Sequence, residues 1–381
     1  MGIPFIDLQA QRRRLEPALT DAMQRVLERG DFIQGQDVRD FEAALAVFTG
    51  AGHVVSCANG TDALTLVGMA EDLGPGDAVF VPAFTFVATA EAFIVLGATP
   101  YFVDVLPDTF NMDPESLKAG IADAKAQGLT PHMVVAVDLF GQPADYDRIA
   151  PIAHENGMVL VADAAQALGG SVNGKRVGTL ADYTTTSFFP AKPLGCYGDG
   201  GAVLCDDTDK AALIKSLTQH GKGSEKYDNV RIGLNSRLDT LQAAILIEKL
   251  RIYEDEIKAR NKVAARFSAE LSELAQTPVM MAGATSCWAQ YTLVLDHRDD
   301  VVNQLKEEGV PSAIYYPLPL SQQGGYLECP CVPGGVPVSK ALSKKVLSLP
   351  MHAYLDEQTQ CVIIEAVSKA LSMVNVEDGI R

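Results

Sequence analysis

The chain has 381 residues, 48% of them apolar and 21% charged, with a net charge of −17. This composition excludes a disordered chain and provides length for one large and one smaller domain. The acidic balance argues against a nucleic-acid partner, which needs clustered lysine and arginine, but leaves room for a small anionic substrate held by a few local cations.

The start, MGIPFIDLQAQRRR, lacks the apolar stretch of a signal peptide. Residues 14–29 read as a helix stopped by Gly30, and a second helix fits 37–48. Short apolar strands then alternate with helical stretches. The strands are expected at His53–Cys57, Ala78–Pro82, Thr99–Val103, Met133–Val137, Met158–Ala162, Tyr183–Ser187 and Ala202–Cys205. The helices between them are expected at 61–72, 86–96, 115–127 and 145–156. Such alternation predicts an α/β fold whose mostly parallel central sheet lies between helices.

A long helical stretch, Asp239 to Leu274, reads as a connector. Strands near 290–295 and 312–316 and helices near 299–308, 338–347 and 357–371 follow, an α+β pattern. The expected division is a large domain over 1–250, including the N-terminal helices, and a small C-terminal domain over 251–381. No uninterrupted apolar run is long enough to span a membrane, so no membrane partner is expected. The seven cysteines, at 57, 196, 205, 287, 329, 331 and 361, are scattered and odd in number, as for reduced thiols in the cytoplasm. Cys329-Pro330-Cys331 has no nearby histidine; it reads as loop, and no metal is expected.

In open α/β sheets, ligands sit beyond the carboxyl ends of the strands. Four segments are placed to converge there. Strand His53–Cys57 runs into Ala58-Asn59-Gly60-Thr61-Asp62 and a helix, which suits a phosphate on free N–H groups or, equally, an ordinary capped turn. Strand Met158–Ala162 leads to Asp163, followed by Ala164-Ala165-Gln166. A carboxylate there can pair with a protonated pyridine nitrogen, with Gln166 near the ring oxygen, or can cap the next helix. Pro82-Ala83-Phe84-Thr85-Phe86 offers an aromatic to lie on a flat ring, with Phe86 read as core.

The fourth segment, S-F-F-P-A-K-P-L-G-C-Y-G-D-G-G, spans 187–201. Burial among aromatics and prolines favours the neutral amine of Lys192, a nucleophile toward carbonyls, and so a Schiff base with a substrate or with pyridoxal phosphate. The alternative is a surface lysine whose stem lies on apolar residues. Ser187 can donate to a phosphate. The G-C-Y-G-D-G-G portion superficially looks like a dinucleotide loop, but a strand follows it rather than a helix, which excludes the nicotinamide reading.

Together these stretches resemble the DegT-type nucleotide-sugar aminotransferases, fold-type I enzymes that use pyridoxal 5'-phosphate. The resemblance runs nearly end to end. It is carried by F-I-D-L-Q, C-A-N-G-T-D-A-L, P-A-F-T-F-V-A-T-A-E, D-A-A-Q, the S-F-F-P-A-K-P-L-G-C-Y-G-D-G-G-A run, G-L-N-S-R-L-D-T-L-Q-A-A-I-L and S-L-P-M-H. It implies that Lys192 holds the cofactor and shuttles the proton during transamination, and that Asp163 pairs with the pyridine nitrogen. Gln166 would contact the ring oxygen and Phe84 would stack on the ring. Gly60, Thr61 and Ser187 would bind the phosphate, with Asn235 serving the phosphate site of the neighbouring subunit of a homodimer with shared active sites. Arg237 and Tyr316 would lie near substrate.

The P-L-G-C-Y-G-D-G-G-A wording is most similar to members that aminate C3 of UDP-2-acetamido-2-deoxy-3-oxo-glucuronate, with glutamate as donor and 2-oxoglutarate as product, for bacterial surface polysaccharide. Their usual His-Tyr before P-x-P-L reads Tyr315-Tyr316 here. The alternative within the family is an aminotransferase for another keto-sugar nucleotide, a 3- or 4-keto-deoxyhexose. Three further rivals remain. A sugar dehydratase of the same fold carries histidine at the lysine position. A cofactor-binding regulator needs an appended module. A Schiff-base aldolase has no use for the set around Asp163. His220 and Lys222, in Q-H-G-K-G-S-E-K-Y, are either substrate contacts across the dimer or solvated, while His53, His132 and His154 read as surface and His352 has no assigned role.

Overall fold

The computed structural model describes residues 2–225 and 227–379. Where one N-terminal helix was expected there are two, α1 (Leu8–Leu15) and α2 (Ala18–Arg29). Pro17 separates them: it has no N–H to donate and forces the preceding residue out of the helical region, and Glu16 is extended at φ −72°, ψ 143°. Gly30 closes α2 at φ 71°, its N–H bonded to Val26 O. Helix α3 (Gln36–Thr49) leads to the sheet.

Seven strands form that sheet: β1 (His53–Cys57), β2 (Asp77–Pro82), β3 (Thr99–Val103), β4 (Thr130–Val137), β5 (Val159–Asp163), then, after a small hairpin of β6 (Ser171–Val172) and β7 (Lys175–Arg176), β8 (Tyr183–Ser187) and β9 (Gly201–Cys205). Their spatial order is β1-β9-β8-β5-β4-β2-β3. Only β9 runs antiparallel to its neighbours. Helices α4 (Gly60–Ala70), α5 (Ala88–Ile94), α6 (Pro114–Ala126), α7 (Tyr146–Glu155) and α8 (Thr208–Leu217) cover it. Side-chain alternation along each strand decides which core it feeds. Val79, Val81, Val135, Val161 and Val203 pack against α4 and α8, whereas Phe80, Tyr101, Val134 and Leu160 pack against Leu117 and Ile121 of α6 and Ile149 of α7. Each such side chain contributes about 1.5–3 kcal/mol by burial, which anchors the strand ends that carry the site.

Helix α9 (Thr240–Leu271) runs unbroken through residue 250, where the division between domains was expected. Its Ala243, Leu246, Tyr253 and Ile257 pack with Phe41, Phe188 and Leu194. From Val263, its Ala264, Phe267 and Leu271 pack instead with Tyr291, Leu293, Leu349 and Ile363. The change of partner falls between Ile257 and Val263.

The C-terminal part holds β10 (Ala284–Thr285), which joins the β6–β7 hairpin, β11 (Tyr291–Val294), α10 (Arg298–Glu307), α11 (Pro337–Lys345), β12 (Val346–Leu349) and α12 (Glu357–Gly379). The strand expected at 312–316 does not form. Pro311 and Pro317, which cannot donate to a ladder, flank that segment. Ala313 alone exchanges hydrogen bonds with Ser348, at 3.1 and 2.8 Å. The partner of β11 is β12, whose Val346, Leu347 and Leu349 are fully buried; the pattern had placed Val346 and Leu347 at the end of a helix. The Cys329–Cys331 segment is more than loop, since Phe102 N donates to Pro330 O and Val332 N to Phe102 O, both at 2.9 Å, adding a bridge to the edge strand β3. All seven cysteines are free thiols. Among the described residues no helix is long and apolar enough to cross a membrane.

His352, just after β12, is buried, and its Nδ1 accepts from Tyr354 N at 3.3 Å. Burial first, then the Arg260 guanidinium, pushes its pKa down from 6.5 to about 4. Between those values the unfolded chain binds more protons than the folded one, so stability is fullest above the window and falls as pH drops through it. Calorimetry between pH about 7 and about 4.5 should show a falling Tm, with a shallower slope in His352→Leu.

Candidate active site

The parallel strands β2, β4, β5 and β8 end at one edge of the sheet. Gly201, the first residue of β9, pairs there with both Ser187 and Cys57, so β1 ends at the same edge. This brings Asn59-Gly60-Thr61, Phe84–Phe86, Asp163 and the Ser187–Gly201 loop into one cluster, as the sequence suggested. Close approach fixes the glycines. A Cβ on Gly60 would lie 2.7 Å from Ser187 Cβ, and one on Gly201 would lie 2.3 Å from Asn59 O. Asn59 caps α4 by accepting from Asp62 N at 2.8 Å. The first-turn N–H groups of Gly60 and Thr61, which no preceding turn can satisfy, and the Ser187 hydroxyl then form a cradle for a phosphate.

Asp163 is 6% exposed. Thr89 Oγ1, on α5, donates to its Oδ2 at 2.9 Å, and Ala165 N donates to Oδ1 at 3.2 Å. Thr85 and Thr89 hydroxyls lie 3.2 Å apart and continue the chain of bonds. Burial raises the Asp163 pKa, against which Thr89, Ala165 N and the Lys192 charge act. Burial likewise lowers the Lys192 pKa, and the Asp163 charge opposes it. Burial thus favours the neutral form of both groups, and the donors to Asp163 and the charges of the pair work against it. The loop that carries Lys192 is fixed by its own backbone: Lys192 N donates to Phe189 O at 2.8 Å, Cys196 N to Phe188 O at 2.7 Å, and Phe188 N to Gly200 O at 2.7 Å.

Gln166 accepts from Phe140 N at 2.7 Å through Oε1 and donates through Nε2 to Tyr316 OH at 3.1 Å. One amide hydrogen of Gln166 remains. Burial raises the Tyr316 pKa, so its hydroxyl keeps a hydrogen to donate. The stacking role expected of Phe84 does not fit its position. Its ring is 0% exposed, edge-on to Phe140 and to Tyr316, within a cluster of Val105, Val137 and Leu139. Phe86, expected in the core, is 52% exposed, its ring 6.3 Å from Tyr316 and tilted by 39°. As the chain leaves β2, Phe84 turns inward and Phe86 outward, so the aromatic free to cover a flat ligand is Phe86.

Asn235 and Arg237 open with Ala58, Gly198 and Gln242 onto a cavity beside the phosphate turn. Ser236, between them, ties this segment to the turn by accepting from Ala58 N at 3.1 Å. His220 is not brought into the cluster; it is exposed, and its backbone bonds Leu234 O and Asn229 Nδ2. Thr89, Phe140 and Ser236 were missed. Thr89 alone had a signal, a hydroxyl one helical turn after Thr85. Among the described residues, no group of three His, Cys, Asp or Glu side chains is placed to hold a metal.

An anion cradle, a buried amine and a donor-supported carboxylate fit the phosphate, aldehyde and ring nitrogen of pyridoxal phosphate. Thr89→Val tests that fit. Loss of a bond to a charged group is worth about 1.5–3 kcal/mol, so the Kd for pyridoxal phosphate should rise at least about tenfold. The Asp163 pKa should rise further, shifting the acid limb of the rate profile to higher pH. Unchanged affinity and profile would separate Asp163 from the ring.

Residues 14–368 match the DegT/DnrJ/EryC1/StrS aminotransferase family. The UDP-2-acetamido-2-deoxy-3-oxo-D-glucuronate aminotransferase of Pseudomonas aeruginosa is 45% identical over 367 residues, 96% of this chain and 99% of its own. The crystal structure of a DegT DnrJ EryC1 StrS aminotransferase from Brucella abortus, 48% identical, superposes with a TM-score of 0.95 over 96% of this chain and 99% of that one. Streptomyces venezuelae DesV, solved in complex with a ketimine intermediate, is 32% identical, with a TM-score of 0.92 over 97% and 98%. With the α/β sheet, the lysine loop and the phosphate turn in one arrangement, the chain belongs to the DegT/DnrJ/EryC1/StrS aminotransferase family.

Proposed function

We propose that this enzyme transfers an amino group from glutamate to C3 of a UDP-linked 2-acetamido-2-deoxy-3-oxo-glucuronate, in two half-reactions on pyridoxal phosphate. The observation that carries the reading is the buried Lys192 amine within electrostatic reach of Asp163, on the same edge of the sheet as the close-packed Gly60 and Ser187. The near full-length likeness to the Pseudomonas aeruginosa enzyme supports the choice of sugar. Pyridoxal phosphate, when bound, supplies an aldehyde for a lysine amine and a ring that takes up the charge left by a broken C–H bond.

The protein's own residues do the rest. Lys192 Nζ, whose neutral form burial favours, would hold the cofactor at rest and, when freed by glutamate, would carry the proton taken from the donor α-carbon. Asp163 would pair with the ring nitrogen and favour its protonated form. Phe86, exposed beside Tyr316, would pack on the ring, in the role first expected of Phe84. Gln166, oriented by Phe140 N, directs an amide hydrogen and the Tyr316 hydroxyl toward the ring oxygen and the sugar. The second half-reaction reverses these steps on the keto sugar.

A homodimer with shared sites completes the reading. Phe32, Ile33, Phe189, Val230 and Ile232 are each about half or more exposed, and a second copy would cover them. Asn235 and Arg237 then serve the neighbouring subunit's phosphate and substrate, with His220 and Lys222 on the adjoining loop. Tyr315 replaces a histidine next to Tyr316 and adjusts sugar contacts. The free thiols fit a cytoplasmic enzyme, here one supplying surface polysaccharide such as lipopolysaccharide O-antigen. The test offers a panel of keto-sugar nucleotides to the pyridoxamine form and follows return of visible absorbance. The 3-oxo-uronate should react fastest; a reaction confined to 4-keto deoxy sugars would overturn the substrate while leaving the transamination intact.

A further inference from the structure

Lys249 lies on α9, outside the set described above, and is 0% exposed. Its Nζ donates to Gly195 O at 2.6 Å and stands 4.2 Å from the centroid of the Tyr197 ring. Gln242, seven residues earlier and so on the same face of α9, accepts from Tyr197 N at 2.8 Å. Helix α9 therefore grips the far limb of the loop that carries Lys192 at two points, Gly195 and Tyr197. Gly195 has no room to adjust, because a Cβ there would lie 2.5 Å from Phe189 O and 2.6 Å from Pro190 O. Phe189 O in turn receives the N–H of Lys192. The chain of contacts from Lys249 to Lys192 is thus Gly195, Phe189 and the backbone of Lys192 itself.

A fully buried ammonium with one carbonyl partner and a ring face is costly, and an apolar side chain of the same length usually serves stability as well or better. Burial pushes its pKa down to about 8, against the charges of Glu256 and Cys196. What methionine could not provide is a fixed Gly195 carbonyl. We propose that Lys249 is a positioning residue that, with Gln242, locks the Gly195–Tyr197 limb so that the Lys192 amine stays in place beside Asp163. This rests on the reading of Lys192 as the cofactor lysine.

The test compares wild type, Lys249→Met and Gln242→Leu. In the cofactor-free proteins, amide hydrogen exchange of the 188–198 segment should quicken at least about tenfold in both variants while Tm changes little. In the loaded enzymes, the single-turnover rate with glutamate should fall about 10–100-fold with a nearly unchanged KM for glutamate, the pattern of a misplaced reacting group. Unchanged exchange and single-turnover rates in a folded Lys249→Met would overturn the inference, as would a lowered Tm with normal chemistry. Should Lys249→Met fail to fold, the same readouts on Gln242→Leu decide. Failure of the underlying reading looks different: wild type and Lys192→Ala would then show the same visible absorbance.

Discussion

Lys192→Ala should give a folded protein that still binds pyridoxal phosphate but turns over at least about 10³-fold more slowly, with the visible absorbance of the lysine-bound cofactor gone. Folding should survive because the loop is held by backbone bonds at Phe188, Phe189 and Cys196 and by Gln242 and Lys249, none of which uses the Lys192 side chain. Binding should survive because the proposed phosphate contacts, at Gly60, Thr61 and Ser187, do not use the Lys192 side chain. Chemistry should not survive, because on the proposed reading the same amine would hold the cofactor and carry the proton taken from the donor α-carbon. Removing it also removes the positive charge that lowers the Asp163 pKa, so Asp163 should titrate higher in the variant. Absorbance spectra with and without glutamate, and kcat with a keto-sugar nucleotide, check all three points. Added methylamine should restore part of the rate, since a small amine can enter the vacated space. Full activity without any lysine at 192 would remove the residue from the mechanism.

The strands that build the site were readable because they are short, rich in apolar or β-branched residues and end in punctuation. Asp163 after Val161-Ala162 and Asn59-Gly60 after Cys57 mark strand ends whatever packs on them. Features that depend on pairing were not readable. The strand at 346–349 is adjacent in sequence to a helix and looks like its last turn; only burial against β11 makes it a strand. The break at Pro17 was legible in principle, but an apolar period continues across it. In the site, residue type and spacing pointed to Lys192, Ser187 and Asp163, and the fold brings their segments to one edge of the sheet. The choice between Phe84 and Phe86 was missed because two aromatics two positions apart carry the same sequence signal, and the turn after β2 decides which is covered. Thr89 escaped for another reason: its spacing from Thr85 is a weak signal that gains meaning only when its hydroxyl is seen to meet the Asp163 carboxylate of β5.

Asp163→Asn separates the two readings that the sequence left open at this position, a ring partner or a cap. Asparagine keeps the shape: its one oxygen can accept from Ala165 N, and its NH2, in the place of Oδ2, can donate to the Thr89 hydroxyl, which reverses its role, so the local turn should stay intact and Tm should change little. What is lost is the negative charge. Two consequences follow with opposite signs. The Asp163 charge raises the Lys192 pKa, so without it the amine is neutral over a wider pH range and captures the cofactor at least as readily. A neutral amide, however, cannot hold a proton on the ring nitrogen, and the charge released when the donor C–H bond breaks has nowhere favourable to go. The second effect acts on the transition state itself and should dominate, lowering kcat/KM about 10³-fold, or about 4 kcal/mol. The expected signature is therefore a split: a normal or faster rise of visible absorbance when cofactor is added, and a slow conversion to the pyridoxamine form when glutamate follows. A residue that only caps the turn would leave both steps unaltered, and that outcome would return Asp163 to a structural role.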